Sequence, residues 1–137
     1  MAATVHVLVA TAEREVYRGE AEMLVAPGVA GELGILPKHA PLLSALRPGE
    51  LRIKRGDEVD EVFVSGGYME VQPDMITVLA DTAERAVDLD EAQALEAERR
   101  ARELVETKGS VVDIAQAEAS LAVAIARLEW LRKKKKH

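Results

Sequence analysis

MITVLADTAERAVDLDEAQALEAERR, residues 75–100, changes its period midway. Met75, Thr77 and Leu79 alternate with Ile76 and Val78, the period of two that marks a strand. After Asp88 there is no proline, the one glycine is Gly109, and the period becomes helical. The chain therefore divides near residues 80–89. This predicts an α+β chain with a β unit over 1–86 and a helical unit over 87–137.

Upstream of the break the period of two persists. Val5, Val7 and Val9 alternate with His6 and Leu8, and Leu51 and Ile53 with Arg52 and Lys54. Turn signals punctuate these runs at roughly ten-residue spacing: Pro27-Gly28, Gly34, Pro37, Pro48-Gly49, Gly56-Asp57, Gly66-Gly67 and Pro73. That spacing predicts an antiparallel sandwich or barrel. Lys54–Glu58 reads as a hairpin turn. Ser65-Gly66-Gly67-Tyr68 reads as a bulge or a close approach of two backbones.

Downstream, Asp88 and Glu91 resemble a capping box, and a first helix is expected from about Leu89 to Thr107. Lys108-Gly109-Ser110 breaks it, with Gly109 as C-terminal cap and Ser110 capping a second helix from about Val111 to Arg132. Ile114, Leu121 and Leu128, with Ala117, Ala124 and Leu131, form an apolar stripe on that helix. Ala94, Ala97, Ala101 and Leu104 form a narrow matching stripe on the first. The short connection makes the helices antiparallel neighbours. Alanine permits close approach but buries little area. At roughly 25 cal/mol per Å² such a seam is weakly held. The hairpin reads either as an element that opens at modest cost or as a small, stable appendage.

The composition fits a β core without aromatic bulk: 48% of the 137 residues are hydrophobic and only 3% aromatic. The absence of cysteine excludes disulfides and thiolate zinc sites. Met1 leads directly into an alternating run, which predicts no secretory leader. No apolar run approaches the ~20 residues of a membrane span. The net charge of −6 is uneven: residues 127–137 carry +5 and the rest −11. The basic end reads as an arm seeking acidic surface or as a solvated, frayed terminus.

Catalytic signatures are missing. The histidines are His6, His39 and His137, none with another histidine at ligand spacing. No G-x-S-x-G, H-E-x-x-H or P-loop pattern occurs. An acidic body almost without aromatics offers no stacking platform, so nucleic acid is an unfavourable partner. An interaction protein remains.

Gly31-Glu32-Leu33-Gly34-Ile35-Leu36-Pro37-Lys38-His39-Ala40-Pro41-Leu42-Leu43, then Arg47-Pro48-Gly49, closely resembles the epsilon-subunit family of bacterial F-type (rotary) ATP synthases. The match continues through Val64-Ser65-Gly66-Gly67, Glu70-Val71, Thr77–Ala83 and Leu89-Asp90-Glu91-Ala92, and covers essentially the whole chain. The resemblance implies a flattened β-sandwich of about ten strands followed by an antiparallel two-helix hairpin. It implies a non-catalytic central-stalk subunit that couples proton flow through the c ring to ATP synthesis. It also implies inhibition of ATP hydrolysis through the extended C-terminal helices. Implied partners are the gamma subunit, the c-subunit ring, and the alpha and beta subunits. Implied placement is peripheral, on the cytoplasmic face of the bacterial inner membrane, with membrane association only through the complex.

The resemblance sets Glu32, Lys38 and His39 on a loop facing the c ring. It suits Arg127, Arg132, Lys133, Lys134, Lys135 and Lys136 by charge to an acidic loop of the catalytic head. Lys38 stands where the family usually has glycine, which predicts that its φ need not be positive. Some family members bind ATP at the hairpin through Ile/Leu-D-x-x-R-A and further arginines. Here Asp90, Arg100 and Arg127 are kept, but Gln93 and Val123 replace two cations. ATP is therefore expected as a weak regulatory ligand or none, and no other cofactor is expected. The alternatives are a β-sandwich adaptor or a nucleotide-sensing module outside the ATP synthase.

Overall fold

Val-rich alternation builds the first unit and alanine-rich helical spacing the second. The structure, a computed structural model, describes residues 2–88, 91–107 and 111–135, with backbone alone at 87, 91–92, 107, 111–114 and 134–135. The chain falls into two units, Met1–Ala86 and Val87–His137.

The first unit has ten strands: β1 Val5–Ala10, β2 Glu15–Ala21, β3 Met23–Gly28, β4 Gly31–Ile35, β5 Leu42–Leu46, β6 Gly49–Arg55, β7 Glu58–Val64, β8 Gly67–Val71, β9 Met75–Ala80 and β10 Ala83–Arg85. They run in the order β10-β7-β6-β3-β5-β8-β9-β1-β2, with β4 paired to β3. The β3–β5 link is a single pairing of Gly28 with Leu46. There the sheet folds over, bringing β2 against β6 and β10. One pair departs from the antiparallel expectation: β1 runs parallel to β9, with His6 opposite Met75 and Ala10 opposite Leu79. Period-two spacing cannot distinguish the two senses, because side chains alternate in both.

The core lies between the two halves of this folded sheet. Val5, Val7, Val9, Leu51, Ile53, Val62, Val64, Met69, Val71, Ile76 and Val78 all point inward and are at most 2% exposed. Burying each such side chain contributes about 1.5–3 kcal/mol. At the far edge, Arg85 of β10 lies 5.7 Å from the Tyr17 ring centroid and donates to Asp60 Oδ1 of β7 at 3.2 Å. Burial, with the Asp60 carboxylate beside it, pushes the Tyr17 phenol up. This cluster ties β2 to β7 and β10.

The Val-Ser-Gly-Gly and Ala-Asp-Thr-Ala stretches prove to be one device. The β7–β8 and β9–β10 connections run side by side. The Ser65 N–H donates to Thr82 O at 3.1 Å and the Asp81 N–H to Gly66 O at 3.0 Å. The Thr82 N–H donates to Ser65 Oγ at 2.9 Å, and the Thr82 hydroxyl lies 2.8 Å from the same oxygen. Gly67, at φ +131°, is the close approach expected from sequence: a Cβ there would lie 2.2 Å from Leu79 O. The Lys54–Glu58 turn is a two-residue hairpin, Arg55 pairing with Glu58 and Gly56 at φ +58°.

The second unit opens with a short 3-10 turn, Ala86–Asp88, followed by α1, Glu91–Thr107, and α2, Val111–Lys135. Helix α2 passes the expected end at Arg132. Lysines are good helix formers and their charge complements the C-terminal dipole, so the basic run continues the helix. The seam holds at Ala94, Ala101, Ala117, Ala124, Leu128 and Leu131, each at most 7% exposed. Leu104 does not join it and is 45% exposed, while Val105 is half-buried. At 3.6 residues per turn, Val105 points about 20° from Ala94 and Leu104 about 80° away. Trp130, 8% exposed, is a further buried side chain of α2 that the heptad reading passed over. The capping roles of Gly109 and Ser110 lie outside the described residues, as does the side chain of Ile114.

Candidate functional site

Strand β4 and the loop after it carry the first group of candidates. Glu32 sits on β4, opposite Pro27 of β3, and its exposed carboxylate accepts from Arg52 Nη2 at 3.3 Å. Lys38 and His39 follow in the loop between β4 and β5. Lys38 has φ +65°, so the expectation of a negative φ is wrong. The turn after Pro37 requires a left-handed residue, and the Lys38 N–H is held there by Pro73 O at 2.8 Å. A lysine in that region costs about 1 kcal/mol, tolerable because its side chain is exposed. His39 Nδ1 lies 2.7 Å from Ala40 O, which places a proton on Nδ1. Val29 and Leu36, just before and after β4, are 62% and 58% exposed. Among the described residues no group of three or more acids and histidines could hold a metal ion.

A second surface was not foreseen. On the outward face of β5, β8, β9 and β1, Ala45, Tyr68, Leu79 and Ala10 form one cross-strand row. Leu43, Glu70, Thr77 and Leu8 form the next. Leu43, Tyr68 and Leu79 are 59–69% exposed. Large apolar side chains gathered on one strand face mark a surface suited to a partner. The signal for it was the MITVLA run of β9, apolar on both faces, as in strands covered on both sides.

The hairpin holds the third site. Gln93, Glu96, Ala97 and Arg100 lie one turn apart on α1, and Arg127 of α2 joins them around a cleft of about 440 Å³. The structure thus brings together two of the expected nucleotide-site residues, Arg100 and Arg127. Asp90 lies outside the described residues. Glu96, which the motif reading passed over, takes part instead. Its Oε1 accepts from Arg99 Nη2 at 2.6 Å and from Arg100 Nε at 3.3 Å. The Arg99 and Arg100 guanidiniums hold its carboxyl well below the usual range, at about 2. Of the basic end, Arg132 and Lys133 are exposed and Lys134 and Lys135 continue α2, while Lys136 lies outside the described residues.

Comparison with known proteins gives a consistent result. Residues 4–86 match the family described as "ATP synthase, Delta/Epsilon chain, beta-sandwich domain". Residues 88–131 match "ATP synthase, Delta/Epsilon chain, long alpha-helix domain". The chain is 53% identical over 133 residues to the ATP synthase epsilon chain of Acidithiobacillus ferridurans, spanning 97% of this chain and 94% of the relative. It is 55% identical over 135 residues to that of Herminiimonas arsenicoxydans, spanning 97% and 96%. Among solved structures, a chain of the Euglena gracilis mitochondrial ATP synthase (OSCP/F1/c-ring) superposes with TM-score 0.76 at 18% identity, over 93% of this chain and 81% of that one. At that identity the superposition speaks for the fold.

Proposed function

The chain belongs to the ATP synthase delta/epsilon chain family, and from that premise we propose that it is the non-catalytic epsilon-type subunit of a central stalk, carrying rotation between a c ring and the catalytic head. The observation that supports this most directly is the outward apolar row of Tyr68 and Leu79 with Leu43 beside it. A rotor subunit works by being held, and this face offers area to hold. The gamma subunit is the partner assigned to it. Glu32, Lys38 and His39, at the β4 end of the same unit, are assigned to the polar loops of the c ring.

Near its end helix α2 carries Arg132 and Lys133, and it continues through Lys134 and Lys135. Extended towards the head, this basic segment meets acidic surface on the alpha and beta subunits and resists rotation in the hydrolysis direction. Among the described residues no helix is long and apolar enough to cross a membrane. Attachment to the membrane is therefore assigned to the complex, on the cytoplasmic face of the bacterial inner membrane.

The test is co-purification. Tyr68→Glu with Leu79→Glu places two charges on an exposed face without touching the core. The doubly substituted chain should fold as judged by its circular dichroism and fail to co-purify with gamma. Retention of gamma at the wild-type level would count against this assignment.

A further inference from the structure

Two guanidiniums facing one cleft ordinarily read as a place for phosphate. The hairpin cleft has that pair, Arg100 from α1 and Arg127 from α2. It also has a carboxylate. Glu96 lines the same cleft, one turn before Arg100, and receives the Arg100 Nε–H at 3.3 Å. The second side of the Glu96 carboxylate is engaged as well, with Arg99 Nε at 3.1 Å from Oε2 and Arg99 Nη2 at 2.6 Å from Oε1. Arg99 is in turn paired with Glu103. The anion that Arg100 would accept from a ligand is already supplied by the chain.

We infer that Glu96 is a built-in counter-anion that closes the hairpin cleft to polyphosphates and so determines what the cleft rejects. The reasoning rests on position and charge. A triphosphate entering between Arg100 and Arg127 must compete with Glu96, which already holds the Arg100 Nε–H, and lie beside its carboxylate. At neutral pH Glu96 is ionised, and its carboxylate stays held by Arg99 Nε and Nη2. Like charges within a few ångströms repel, and truncating one of them relieves the repulsion. Gln93, at the other end of the cleft, adds a neutral amide where a third cation would favour a phosphate. The hairpin of this chain is therefore indifferent to nucleotide concentration. Its two helices respond to partner surfaces and not to the ATP level.

This inference concerns a ligand and does not rest on the rotor assignment, which co-purification tests separately. The experiment is calorimetric titration of the full-length protein with ATP, and separately with inorganic pyrophosphate, at neutral pH. Wild type should show no binding heat up to about millimolar ligand. Glu96→Gln, which keeps the shape and removes the charge, should bind both ligands at least about tenfold more tightly, the effect of one relieved charge at this range. Adding Arg100→Gln to that variant should abolish the gain. Micromolar ATP affinity in wild type overturns the inference on its own, whatever the variants do. So does a Glu96→Gln chain that keeps its helical circular dichroism and binds no more tightly than wild type. Arg99→Gln is the control. It leaves the Glu96–Arg100 contact in place and should leave the cleft closed; opening there would equally overturn the role given to Glu96.

Discussion

At the scale of single residues, backbone conformation explains more of the sequence than side-chain chemistry does. Gly67 is required because β8 and β9 run so close that a Cβ would meet Leu79 O at 2.2 Å. Lys38 shows the opposite arrangement, a side chain kept where the backbone prefers none, at φ +65°. Lys38→Gly should therefore stabilise the protein, by about 0.5–1 kcal/mol. For a unit of this size that is a rise in melting temperature of several degrees, about 4–8 °C per kcal/mol. Differential scanning calorimetry would read it, and an unchanged or lower transition would contradict the strain argument. The sequence showed that Lys38 was unusual. It could not show the sign of φ, because the turn is set by Pro37 before it and by the distant Pro73 carbonyl that receives its N–H.

At the scale of elements, strands and helices were legible from period alone. The break after Asp88, the Gly56 hairpin and most of the alanine seam all appear where periodicity and turn chemistry put them. What escaped were features set by pairing between elements: the parallel β1–β9 pair, the outward row across β5, β8 and β9, and the inward turn of Val105 in place of Leu104. The charge ladder along α1 was visible as spacing, since Glu96 to Arg99, Arg100 and Glu98 to Arg102 are three or four residues apart. It also makes a pH prediction. The Glu96 carboxyl drops from 4.5 to about 2 on folding, so below 4.5 the unfolded chain takes up its proton first. The stabilisation is complete above pH 4.5 and is lost as pH falls from there towards 2. The helical signal at 222 nm of the intact protein should become less resistant to urea across that window. Glu96→Gln should flatten the dependence, and a slope equal to wild type would contradict it.

At the scale of the whole molecule, the second unit is the natural place for regulation. Its helices meet along a seam with alanines at 94, 101, 117 and 124, and among the described residues its core cluster is Ala94, Leu128 and Leu131. Little apolar area resists opening. Truncation after Ala126 removes Leu128, Leu131 and the basic end together. In a complex reconstituted with the remaining subunits it should raise ATPase activity by about fivefold or more, the scale of a modest allosteric coupling. Unchanged activity would mean that the end of α2 applies no brake. The first unit is built on a different timetable. Its β1 strand pairs with β9, roughly seventy residues further along the chain. A ribosome adding about 5–20 residues per second needs on the order of ten seconds to produce that partner. Until then Val5, Val7 and Val9 have no neighbour on that side. Closure of the sandwich is consequently a late, non-local event, whereas each helix forms within its own segment as it emerges. The nascent chain therefore carries an open apolar edge through about half of its synthesis, and the interval before β9 arrives is when this protein is most exposed to aggregation.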